Sequence, residues 1–431
     1  MRKLTLAFFV LFVAIASLTA QEFKQPLAAM DLKDGDTIVF LGDSITHQCL
    51  YTQYIEDYFY TRYPDRRIRF HNAGVSGDRA ADALARFDDD VVAFKPKYVT
   101  MLLGMNDGSY TNFVPEIFTT YSTGMTELLD KLAGIGAAAV PMTPTMFDAR
   151  AFSMRPQKRE RYTYYNAVLA FYGTWLREVA GQRGLGFVNM WAPLNDITVQ
   201  ERKKDPKFTL ITDAIHPDAP GQVIMATSII GDMVPRTLVS GIILRVVPNT
   251  VKYAVTGING KAGDLQANDF VMSFTFKANA LPWVLPPDAT LGCTLTHLGH
   301  RYSNEKITVG NLKPGKYGLR IDGQPVGAYT EGQLAFGVEL ENNVNTPQYQ
   351  QALKVAMLNK ERNEKAVKPM RDLWAKLKGK RRAGNQAELD KWLPEFKAGV
   401  AEKIALAKQY EDQIYQANQP VARKYEITRV P

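Results

Sequence analysis

The sequence predicts an α/β protein: a parallel five-stranded sheet covered by helices on both faces, then a small antiparallel β domain and a C-terminal α-helical hairpin. Three observations lead there. From residue 37 to about 238, short apolar runs alternate with amphipathic ones, and the runs lack clean period-two alternation, as strands buried on both faces do. After about residue 243, apolar and polar residues alternate within short segments separated by Gly, Pro, Asn and Asp. From Thr346 onward the chain is rich in Ala, Lys, Glu, Gln and Leu, the residues of long helices. A chain of 431 residues also exceeds the size at which one core stops growing, so more than one domain is expected.

Taken in order, residues 1–20 have a basic start (Arg2, Lys3), an apolar stretch from Leu4 to Ile15 and a small-residue end at Ala16 to Ala20. This is the layout of a signal peptide cleaved before Gln21. The apolar run is shorter than the ~20 residues that span a bilayer. The expected location is periplasmic or extracellular, without stable membrane insertion. Strands are expected at Thr37 to Leu41, Ile68 to Asn72, Tyr98 to Leu103, Ala137 to Met142 and Gly186 to Met190. Helices are expected near 49–63, 79–94, 115–133, 157–182 and 219–238. In such sheets the ligand crevice lies at the carboxyl ends of the strands.

The β region should contain strands at Phe270 to Phe276, Cys293 to Leu298, Lys306 to Val309 and Tyr317 to Ile321, arranged as a sandwich. Two long helices should follow, broken near Gly379 to Gly384, with Asn385 and Glu388 spaced as a capping box. The basic cluster Lys378, Lys380, Arg381 and Arg382 at that break reads as a solvated loop. The expected division is 1–20, 21–242, 243–340 and 341–431.

Composition excludes some functions. With 46% hydrophobic and 22% charged residues the chain reads as folded and globular. Of its formal charge of +8, two positive charges lie in the leader, and no Arg/Lys stripe interleaves with aromatics, so nucleic acid is excluded as a partner class. Cys49 and Cys293 are the two cysteines, and they read as unpaired, buried thiols although export would permit a disulfide. So few Cys and five scattered His give no zinc spacing, and no metal or other cofactor is expected.

Four short signatures sit at predicted strand ends. The first is Gly42, Asp43, Ser44, Ile45, Thr46, where a Ser in a strand-to-helix turn can expose its hydroxyl near a helix N-terminus. Such residues are also ordinary turn formers. The second, Asn72 to Asp78, contains Gly77, whose amide could face the crevice. The third, Gly104 to Asp107, offers the Asn106 side-chain amide, a neutral donor for an oxyanion. The fourth, Asp213 to Pro217, places a carboxylate three residues before His216, close enough to fix the tautomer of a base. His47 and His71 also lie near strand ends and compete for that role.

Ser, Gly, Asn, then Asp and His, in this order at one sheet edge, resemble the SGNH/GDSL hydrolase family over roughly residues 36–238. The resemblance implies a three-layer α/β/α, flavodoxin-like fold and a serine esterase that needs neither metal nor cofactor. It implies Ser44 as nucleophile, His216 as general base and Asp213 as its orienter. The oxyanion donors would be the Ser44 amide, the Gly77 amide and the Asn106 side chain. None of these five positions departs from the family pattern. The β domain and the helical tail lie outside the resemblance.

Substrate is less constrained. Segments beside the site loops are mixed and polar (Ser109, Tyr110, Thr111, Asn112 and the run 155–166), which argues against a large apolar lid. Export with an accessory β domain suits O-acetyl groups on carbohydrate; a lysophospholipase or short-chain lipid esterase is the alternative. In another class, the chain would be a glycan-binding protein with Trp283 and Tyr302 stacking on sugar, unless both are buried in a core.

Overall fold

The computed structural model describes residues 27, 29–153, 162–246, 253–268 and 271–430. The expected leader at 1–20, the start of the helix expected at 157–182, most of the polar run at 155–166 and Phe270 lie outside the described residues.

The N-terminal sheet has four parallel strands, β1 (Thr37–Gly42), β2 (Arg69–Gly74), β3 (Tyr98–Leu102) and β4 (Ala138–Pro141), in the order β2-β1-β3-β4. Every residue of β1 and β3 is buried, so helices do cover the sheet. The helices of this part are α1 (Ser44–His47), α2 (Leu50–Arg62), α3 (Ala80–Leu84), α4 (Phe87–Asp90), α5 (Pro115–Gly134), α6 (Ala149–Ser153), α7 (Tyr165–Arg183), α8 (Trp191–Arg202) and α9 (Ala219–Met233). The helix expected at 79–94 is thus two short ones and a 3-10 turn at Val92–Phe94.

The fifth strand expected at Gly186 to Met190 is a single bridge, Val188 to Met142. Its ladder ends because the Thr143 hydroxyl accepts the amides of Met190 and Trp191, at 2.8 and 2.9 Å, turning the chain into α8. The sheet is therefore four-stranded rather than five-stranded.

Two further sheets share one apolar core and form the sandwich. Their strands are β5 (Ser240–Val246), β6 (Tyr253–Ile258), β7 (Gly260–Ala267), β8 (Val271–Ala278), β9 (Glu305–Gly310), β10 (Lys316–Ile321), β11 (Gln324–Thr330), β12 (Val338–Glu339) and β13 (Arg423–Val430). One sheet is antiparallel, in the order β11-β10-β13-β8-β7; the other, β12-β9-β5-β6, is mixed because β5 and β9 run parallel. The strand expected at Cys293 to Leu298 is instead α10 (Thr290–Thr296), followed by α11 (Leu298–Tyr302). Gly292 lets α10 lie against α9, since a Cβ there would come within 2.6 Å of Val223. Trp283 and Tyr302 are buried in the α/β core, where the Trp283 indole donates to the Tyr54 carbonyl at 2.9 Å. Neither ring is open to a sugar.

After α12 (Glu331–Phe336), the tail holds two long helices that pack side by side. The first runs from α13 (Pro347–Arg362) through a π turn at 363–367 into α14 (Lys368–Ala383), and stops where Gly384 takes φ +71°. The second is α15 (Gln386–Ala417). Asn385 accepts the Glu388 amide at 3.2 Å, while the Glu388 carboxylate pairs with Lys380 rather than closing the capping box. The chain then returns as β13, in the middle of the antiparallel sheet.

The hairpin docks on the α/β part. All of α2 except Leu50 is buried, although it carries Thr52, Gln53, Glu56 and Asp57. Its polar groups are met by α13, the π turn and β2: Asn359 donates to the Gln53 carbonyl and to Asp57, Arg362 and Asn363 bond Glu56, and Asn72 donates to Thr52. Among the described residues no helix is long and apolar enough to cross a membrane.

Candidate active site

The register sets three strand ends level. Gly42 of β1 stands opposite both Gly74 of β2 and Leu102 of β3, so the loops that follow begin side by side at the carboxyl edge. Gly42 and Gly74 permit the close packing there: a Cβ on Gly42 would lie 2.1 Å from the Thr46 hydroxyl, and one on Gly74 2.4 Å from the His47 amide nitrogen.

Ser44 opens α1, a helix of only four residues, and the long α2 starts after Cys49 in a left-handed conformation. A single turn supplies little dipole, so the expected push from a long helix behind Ser44 is weak. Local order comes instead from Asp43, whose carboxylate accepts the Ile45 amide at 2.9 Å. Burial raises the Asp43 carboxyl to about 7, against the bond from Ile45.

The fourth signature reaches the first across 172 residues. His216 Nδ1 donates to Asp213 at 2.5 Å, which leaves Nε2 to accept from the Ser44 hydroxyl at 2.8 Å. Asp213 also accepts the backbone amides of Ile215, at 2.9 Å, and His216, at 2.6 Å. Burial works against its ionised form, yet these bonds bring it down to about 2. The bond to Asp213 raises the His216 imidazole above its ordinary value, with burial opposing. Chemically, a hydroxyl, a base that can take its proton and a fixed carboxylate that stabilises the resulting cation are aligned.

Gly77 sits exposed in the loop after β2 with φ +71°, a conformation glycine takes without strain. Asn106 bridges this loop to the first: its Nδ2 donates to the Asp78 carbonyl at 3.1 Å and to Asp43 at 3.4 Å. Asp107, buried beside it and pushed up to about 6 by that burial, accepts the amides of Gly104 and Ala80 and so locks the third loop to the second.

The competing histidines are engaged elsewhere. His71 is buried against Asp90 at 2.8 Å, and His47 lies between Ser76 and Asp372 of α14. The two cysteines are free, Cys49 buried and Cys293 half-buried.

Sequence reading missed two kinds of contributor. Tyr110 donates to Asn106 Oδ1 at 3.1 Å, which fixes which end of the amide is the donor; it and Ser109 both have positive φ. The basic cluster at 378–382 is the second. It is the last turn and a half of α14 rather than a loop: Lys378 bonds Ser76 and Asp78, while Arg382, bonded to Asp82, and Arg381, 3.9 Å from Asp89, are exposed as expected.

Residues 40–224 match the GDSL-like lipase/acylhydrolase family. An acetylxylan esterase of Geobacillus stearothermophilus is 24% identical over 226 residues, covering 47% of this chain and 96% of its own. A solved structure described as a gut microbial diltiazem-metabolizing enzyme superposes with a TM-score of 0.81 at 24% identity, covering 94% of this chain and 99% of its own. That likeness extends the shared fold through the sandwich and the helical hairpin.

Proposed function

Because residues 40–224 belong to the GDSL-like lipase/acylhydrolase family, and the protein is thereby an SGNH-type ester hydrolase, we propose that it removes O-acetyl groups from carbohydrate through an acyl-enzyme on Ser44. The observation that carries the serine mechanism is the hydrogen-bonded line Ser44, His216, Asp213, at 2.8 and 2.5 Å.

Ser44 Oγ attacks the ester carbonyl as His216 Nε2 takes its proton, and Asp213 steadies the imidazolium. The tetrahedral oxyanion is held by the Ser44 and Gly77 amides and by Asn106 Nδ2. Collapse expels the alcohol, which receives the proton from His216. Water, deprotonated by the same imidazole, then attacks the acyl carbonyl; a second collapse frees the acid and returns the proton to Ser44. The acyl and alcohol parts of the proposal are supported by the acetylxylan esterase relative and by the polar residues beside the site, Ser109 and Tyr110 among them. The basic-then-apolar order of residues 1–20 supports export, so the proposed reaction would take place outside the cytoplasm; a mature N-terminus at Gln21 would agree with that reading, and an uncleaved N-terminus would count against it.

Acetate release from acetylated xylan and cleavage of p-nitrophenyl esters of increasing chain length, with wild type beside Ser44→Ala, tests the reading. Best turnover on acetates and a dead Ser44→Ala are expected. A preference for long acyl chains with no acetate from glycans would overturn the substrate, and an active Ser44→Ala would overturn the mechanism.

A further inference from the structure

Three side chains on α14 hold the loop that carries Gly77: Lys378 directly, Arg371 at the strand end before it, and Asp372 through His47. Arg371, fully buried, donates from Nε to the Gly74 carbonyl at 2.9 Å and grips both oxygens of Asp90 with its other two nitrogens. Asp372 accepts from His47 Nε2 at 3.0 Å, and His47 Nδ1 in turn accepts the Ser76 amide at 3.2 Å. Lys378 Nζ donates to the Ser76 carbonyl at 3.1 Å and to Asp78 at 2.7 Å. It stands 3.8 Å from where a Cβ on Gly77 would be. Residues 74, 76 and 78 are thus all tied to the hairpin, and residues 75–79 lie outside any helix or strand.

The Lys378 contact acts on one particular peptide plane. The Ser76 carbonyl and the Gly77 N–H belong to the same planar, trans unit, so they point in opposite directions. A cation bonded to the carbonyl fixes the plane and polarises its N–H. Gly77 needs such an outside hold, because glycine has the widest choice of backbone conformations. Oxyanion donors contribute through preorganisation, and a loosely aimed donor loses most of its effect.

We propose that Lys378, from the C-terminal hairpin, is a positioning residue for ester hydrolysis: by holding the Ser76 carbonyl and Asp78 it aims the Gly77 amide at the developing oxyanion. This rests on the serine-esterase reading of Ser44 and Gly77 given above. The hairpin is then part of the working enzyme, although it lies outside the matched family segment.

The test uses the full chain and p-nitrophenyl acetate. Lys378→Met should lower kcat about tenfold with KM little changed, the pattern of an interaction made in the transition state. Lys378→Arg should restore kcat to within roughly threefold, since it keeps a charged donor. Arg382→Met, which breaks another α14 ion pair without touching Ser76, should leave kcat unchanged. If Lys378→Met fails to fold, Lys378→Gln, which keeps an N–H donor but no charge, should fall between wild type and inactive. Lys378→Met at wild-type kcat, or equal losses in Lys378→Met and Arg382→Met, overturns the proposal. Ser44→Ala separates the two readings: if it stays active, the serine mechanism itself has failed.

Discussion

The two halves of the proposed site, base and oxyanion hole, are supported in opposite ways. The base half is local: Asp213 takes two amides from its own loop and the ring of a residue three positions away. The oxyanion half is remote: Ser76 and Asp78 are held by Lys378, some 300 residues on in the chain, and Asn106 is oriented between Asp43, Asp78 and Tyr110. A local loop keeps its geometry wherever its ends are held. A loop tied at three points to another element needs that whole element folded and docked first.

The largest expected effect comes from breaking the local half. Asp213→Asn should lower kcat on p-nitrophenyl acetate by on the order of 10³ to 10⁴, because an amide cannot hold the imidazole tautomer that leaves Nε2 free. The thermal midpoint should barely move, since Asp213 is 43% exposed and bonds only its own loop. A loss below tenfold would mean that the base is oriented by another group.

Next in size is the remote half. Asn106→Ala should cost roughly 10² to 10³ in kcat, as removal of one oxyanion donor does. Tyr110→Phe should cost about tenfold or less, because the donor survives and only its orientation is freed. Equal losses in the two variants would place Tyr110 itself against the substrate.

The pH profile separates the halves. In the proposed mechanism His216 must be neutral to act, and the bond to Asp213, with the charge of that carboxylate, lifts it above its ordinary 6.5. The acid limb of kcat/KM, which reports the free enzyme, should therefore lie above pH 6.5 in the wild type and move down in Asp213→Asn. Asn106→Ala should lower the plateau and leave the limb in place. A limb below 6.5 in wild type would contradict the bond seen at 2.5 Å.

The same contrast explains what the sequence made legible. The four signatures are each a few residues long and each follows a strand, so their chemistry can be read in place. What reading could not supply were contacts between distant segments. The polar residues Gln53, Glu56 and Asp57 look like a solvated face of α2, and the arrival of Asn359, Arg362 and Asn363 is what offsets the cost of their burial. Lys378 looks solvated for the same reason, whereas its neighbours Arg381 and Arg382 do stand exposed. The final strand did leave a signal: Tyr425 and Ile427 alternate with polar neighbours, and both are buried between the sheets. The missing fifth strand turned on one hydroxyl, Thr143, whose capture of two amides no periodicity reveals.

Buried carboxylates extend the comparison to the sandwich, with the smallest expected effect. Beside the oxyanion loop, Asp90 is buried, but Arg371, His71 and Arg86 hold it well below the usual carboxylate range. At the start of β9, Glu305 and Glu341 are buried with no ion pair among the described residues, and burial pushes them up to about 8 and about 7. A carboxyl raised in the folded state stabilises fully below its unfolded value near 4.5 and loses that contribution as pH climbs through the folded value. The thermal midpoint should therefore fall by roughly 2 to 4 °C between about pH 6 and about pH 9. Glu305→Gln, which keeps a side-chain oxygen for the Ser240 hydroxyl, should flatten that fall. An undiminished slope in Glu305→Gln would trace it to another group, since Asp90, ionised throughout this window, contributes none of it.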